Sequence, residues 1–133
     1  MSLFELKNPI AVDLCQFEKM KKTATELLND AEKGQNTQAV VLLSAKGNEY
    51  GAVIKDTIAE DDSDEVALIE SLMEADDILV ECVLCMWQCG GIDIPSYRLR
   101  KMLCELNCQN SESVLFVMTF DGISGLKVAK TMK

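Results

Sequence analysis

The chain contains no histidine. Histidine is the usual general base of serine and cysteine hydrolases and the commonest zinc ligand, so its absence removes both chemistries in their ordinary form. Positive charge is scarce as well: 13 Lys and Arg stand against 22 Asp and Glu, a net charge of −9. Phosphate backbones and anionic lipid surfaces are both held by clustered cations, so neither a nucleic acid nor a membrane is an expected partner. Aromatic residues make up only 5% of the chain, which leaves an aliphatic core with seven Met and several Cys to fill its gaps. No apolar run approaches the roughly 18 residues of a membrane span, and no basic-plus-apolar leader opens the sequence. A cytoplasmic location is therefore expected, in which Cys15, Cys82, Cys85, Cys89, Cys104 and Cys108 stay reduced. Gly-rich phosphate loops of the standard types are missing too; Gly90-Gly91 ahead of a helix is too short a signal to stand for one.

What is present fits one domain over residues 1–133, with 48% hydrophobic residues to build a core. Asp13 and Gln16 have the spacing of a helix cap, and the stripe Phe17, Met20, Ala24, Leu27, Leu28, Ala31 predicts a helix over 15–33 that ends at Gly34. Residues 39–45 are a continuous apolar run, as in a strand covered on both faces. Lys46-Gly47-Asn48 supplies turn chemistry, and 49–55 returns as the second strand of a hairpin. The acidic run 60–65 complements the dipole of a second helix, whose apolar face is read as Val66, Ile69, Leu72 and Met73. Ile78–Trp87 is almost wholly apolar and predicts a central strand. After a turn over 88–94, Pro95 falls in the first turn of a third helix with Leu99, Met102, Leu103 and Leu106 on its core face. A strand follows over 114–120, and the short basic tail 123–133 is read as helical. This alternation predicts a three-layer α/β/α domain around a central mixed sheet.

The cysteines invite a metal reading, because Cys82, Cys85 and Cys89 are closely spaced. On a strand, however, Cys82 and Cys85 point to opposite faces and cannot share one ion. Small apolar fillers in a reduced core are the simpler reading, with a thiolate site or redox pair such as Cys104 and Cys108 as the alternative. The acidic run lacks the ligand spacing of a calcium loop and is best explained as a solvated helix start.

The stretch Pro95-Ser96-Tyr97-Arg98-Leu99-Arg100-Lys101-Met102-Leu103-Cys104-Glu105-Leu106 resembles the Pro-Cys-Gly-x-Cys-Arg-Gln-x-Leu-x-Glu-Phe motif of the small cytidine deaminases. Ser63-Asp64-Glu65-Val66-Ala67-Leu68 is similar to that family's Cys-Ala-Glu-Arg-x-Ala-Leu, and element order agrees over about residues 16–120. In that family three zinc ligands hold a hydroxide that attacks the base while a glutamate moves protons. The resemblance places Glu65 at the proton-shuttle position, but puts Ser63, Ser96 and Leu99 where the ligands belong. Serine is a poor zinc ligand and leucine is none. The family's ribose-binding Asn-x-Glu is replaced by Val53 and Lys55.

The expectation is accordingly a non-catalytic protein of the cytidine deaminase-like fold, with a degenerate pocket at Ser63, Glu65, Pro95, Ser96 and Leu99, no catalytic residue, no metal and no cofactor. A role in binding a small molecule or in assembly follows, and the resemblance implies a homo-oligomer, dimer or tetramer. The alternative is an enzyme, either a deaminase with substitute ligands such as Cys89 or Cys104 or a metal-free one relying on Glu65.

Overall fold

In the computed structural model, which describes residues 10–33, 36–57 and 60–132, the strands form one mixed sheet with helices on both faces. The order is α1 (Leu14–Asn29), β1 (Gln38–Ser44), β2 (Glu49–Ile54), α2 (Ser63–Glu74), β3 (Val80–Trp87), β4 (Ile92–Asp93), α3 (Tyr97–Leu106), β5 (Val114–Thr119) and β6 (Gly122–Lys127). Across the sheet the strands run β2-β1-β3-β5-β6, with β4 added beside the end of β3. Only β3 and β5 pair in parallel, because α3 carries the chain back between them; the other ladders are antiparallel. Three layers result, as the sequence predicts.

The apolar runs fall where their composition demands. Every residue of β1 is buried, and β3 lies at the centre between β1 and β5. Alternate β3 side chains feed two separate cores. Cys82, Leu84 and Met86 join Phe17, Met20, Ala24 and Leu28 of α1, while Val83 and Cys85 join Leu68, Ile69 and Leu72 of α2 and Leu99 and Leu103 of α3. The two thiols thus point to opposite faces, and burial pushes both pKa values up, that of Cys82 to about 12. They are inert fillers at neutral pH.

Asp13 caps α1 by accepting from the backbone N–H groups of Cys15 and Gln16. The helix stops at Asn29 and not at 33, since Asn29-Asp30 favours local backbone bonding over further helix, and Asp30 closes it. Gly34 lies outside the described residues. Pro95 is not in the first helical turn: Ser96 is the cap of α3 and Pro95 precedes it. Asp93 and Ile92 form a short strand within the region read as a turn.

Two sequence readings need larger corrections. The buried stripe of α2 is Glu65, Leu68, Ile69 and Leu72, so an acid opens the core face and Met73 is 57% exposed. The tail is not a helix over 123–133. A turn at Gly122, with φ of 113°, folds residues 122–127 back along β5 as an edge strand, and only a single 3₁₀ turn, Val128–Thr131, follows. Pairing with β5 decides this segment, whose own periodicity is weak.

Candidate active-site remnant

The N-terminal ends of α2 and α3 meet on one side of the sheet, and of the residues singled out from the sequence Glu65, Pro95, Ser96 and Leu99 lie at this junction. Glu65 sits in the first turn of α2 with 1% of its surface exposed. Ser96, as cap of α3, accepts from the backbone N–H of Leu99 at 3.2 Å. That bond occupies the hydroxyl's acceptor side and leaves its one proton to be donated to Glu65 Oε2 at 3.0 Å. Leu99 is fully packed in the apolar cluster between the helices. Pro95 is buried too, its carbonyl accepting from Arg100 Nε at 3.1 Å.

Ser63 stands apart. It opens α2, is exposed, and its backbone N–H donates to Asp61 Oδ1 at 2.9 Å. This bond is the main reason the Asp61 carboxyl lies below its usual pKa. Asp64 accepts from the backbone N–H of Lys55 at 3.0 Å, tying the helix start to the end of β2. The acidic run is therefore divided. Asp61 and Asp64 order the local backbone, whereas Glu65 turns inward.

Sequence reasoning missed the residue that completes the group. Arg98, in the first turn of α3, donates through Nε to Glu65 Oε2 at 2.9 Å and through Nη2 to Oε1 at 3.3 Å. Its Nη2 also reaches the Thr57 carbonyl at 3.5 Å. Both carboxylate oxygens are thus engaged by one planar guanidinium, the geometry in which arginine binds a carboxylate most specifically. A signal for it was present. The chain has only two arginines, Arg98 and Arg100, and both fall in the motif that supplies Ser96.

The donor set does not fit zinc. The position of one ligand holds a hydroxyl already committed to Leu99 and Glu65, another holds leucine, and the third holds an exposed serine. Among the described residues no three Cys, Asp or Glu side chains gather into a group that could hold a metal ion. The candidate substitutes do not close this gap. Cys89 is exposed in the β3–β4 turn and lines a cleft with Lys21, Thr25, Leu28 and Met86, on the α1 side of the sheet. Cys104 lies five residues beyond Leu99, roughly 7.5 Å further along the helix, and burial raises its thiol pKa above the usual value, aided by nearby Glu105.

No family model matches the chain, and no curated protein matches it significantly. Solved structures do. The cytidine deaminase from Mycobacterium leprae superposes with a TM-score of 0.63 at 18% identity, over 87% of this chain and 96% of its own. The cytidine deaminase from Mycobacterium tuberculosis gives 0.62 at 16%, over 91% and 94%. A mutant form of that enzyme gives 0.67 at 16%, over 91% and 92%. The chain therefore has the cytidine deaminase-like α/β fold, and nearly the whole length of those proteins finds a counterpart in it. No helix among the described residues is long and apolar enough to cross a membrane.

Proposed function

We propose that this protein has the cytidine deaminase-like fold without its catalysis and works as a binding or assembly protein. One observation carries the reading: the carboxylate at the proton-shuttle position is clamped through both oxygens by Arg98 and further held by Ser96. A general acid–base must release and recover a proton beside its substrate. Glu65 is 1% exposed and paired through both oxygens with Arg98, so a substrate cannot approach the acid while the guanidinium stays in place. The same clamp argues against metal-free chemistry at Glu65, and the ligand positions argue against zinc. A small ligand would have to displace Arg98 to reach the acid, which favours assembly over ligand binding at this spot. A homo-oligomer, dimer or tetramer, is the form the likeness to the deaminases suggests, with a cytoplasmic location in keeping with the reduced-cysteine expectation.

The test is a paired measurement on untagged protein purified without chelators. Zinc is counted by elemental mass spectrometry, and cytidine deamination is followed by ultraviolet absorbance with and without added zinc. The expected outcome is metal far below one atom per chain and no turnover under either condition. Zinc near one per chain, or turnover that disappears in Glu65→Gln, sinks the proposal.

A further inference from the structure

Two of the three positions that the resemblance gives to metal ligands, Ser96 and Leu99, and the residue that pairs with Glu65 come from one segment of α3 and its cap. The acid is buried although those two positions carry a hydroxyl and a leucine. A carboxylate so withdrawn from water keeps its charge only if a cation or a full set of donors faces it. We infer that the Arg98 guanidinium is the built-in counter-charge that lets the buried Glu65 clasp α2 to α3. This assignment rests on the non-catalytic reading above.

Several features separate the clasp from an ordinary surface pair. The pairing is two-pronged, at 2.9 and 3.3 Å. Its acid is 1% exposed, whereas Arg98 retains 29% exposure of its side chain. The carboxylate is thus sealed from water while its arginine partner stays part-exposed. Ser96 adds a third donor from the same helix end. The contacts join Arg98 to residues 33 and 41 positions earlier, on α2 and on the loop before it. Exposed ion pairs contribute little, but a pair with one partner sealed from water behaves differently when broken. Removing the cation strands a buried charge, while removing the acid leaves an arginine that can turn outward to solvent. The clasp should therefore be asymmetric.

A thermal-unfolding cycle of Arg98→Met, Glu65→Gln, the double variant and Arg98→Lys tests this. Arg98→Met is expected to lower the melting temperature by at least about 10 °C at pH 7.5. Glu65→Gln should lower it by less than half as much. The double variant should melt above Arg98→Met, because no stranded charge remains, and Arg98→Lys should fall between Arg98→Met and the parent, keeping the charge but losing the fork. Losses that simply add, or an Arg98→Met no worse than Glu65→Gln, overturn the clasp. Should Arg98→Met fail to fold, the double variant decides: a folded, cooperative protein supports the assignment and an unfolded one overturns it. An uncoupled cycle with zinc and turnover still absent removes only the clasp. Zinc or turnover in the parent removes the non-catalytic reading, whatever the cycle gives.

Discussion

Among the described residues two acids are buried, and the molecule keeps them in different ways. Glu65, at the junction of α2 and α3, faces a guanidinium and a hydroxyl. Asp77, in the loop between α2 and β3, accepts on Oδ2 from two neutral donors, the Asn48 amide at 3.0 Å and the Tyr50 hydroxyl at 2.7 Å. Its donors, Asn48 first, hold its carboxyl below the usual pKa with a smaller contribution from the charge of Lys46, and the bond to Asp77 raises the pKa of Tyr50. Asp77 fastens the tip of the β1–β2 hairpin to the loop after α2, mainly through neutral hydrogen bonds. Glu65 ties two helices together and is met by a full opposite charge. The difference teaches which buried acid joins distant elements: the one whose partner is a cation reaching across from another helix.

Single substitutions around the two acids sharpen that contrast. After Arg98→Met, the largest loss is expected from Ser96→Ala, which removes the cap of α3 and a donor to Glu65 together, about 1–3 kcal/mol by denaturant titration. Tyr50→Phe also deletes a hydroxyl that donates to a buried acid, but Asp77 keeps the Asn48 amide, so a smaller destabilisation is expected. Equal losses would mean that the two acids do not differ as described. The smallest effect is one of pH. Because Asp77 has a folded pKa below 3.8, its contribution is present above about pH 4 and is lost as the pH falls through the folded value. Asp77→Asn should therefore be less stable than the parent at pH 7, with the gap closing on acidification below about pH 4. A constant gap from pH 7 to pH 3 would show that the charge of Asp77 is not what its donors stabilise.

Much of the fold could be read locally. The unbroken apolar runs of β1 and β3, the Asp13 cap and the Leu99–Leu103 stripe each carry their own signal over a few residues. What escaped depended on distant partners. Glu65 can be named from the motif, but the cation that pairs with it lies 33 positions away. Its inward turn also rotates the stripe, so Met73 lies outside the core. The segment after Phe120, read as a helical tail, is a strand that exists through the ladder to β5. At the site itself, Glu65 and Ser96 could be named from the motif, but Arg98 occupied a position the family leaves variable, so only the pairing reveals its part.

The outer edge of β6 is covered at Gly125. Ile10 and Gly125 exchange both backbone hydrogen bonds, at 3.2 and 2.8 Å, and the glycine's missing side chain makes room, since a Cβ there would come within 2.6 Å of Val114. A sheet can propagate from copy to copy into an open fibre only if it offers two free edges. With Gly125 already paired by its own chain, a second copy pairing along β6 would have to displace Ile10, whereas the outer side of β2 is the sheet's other edge.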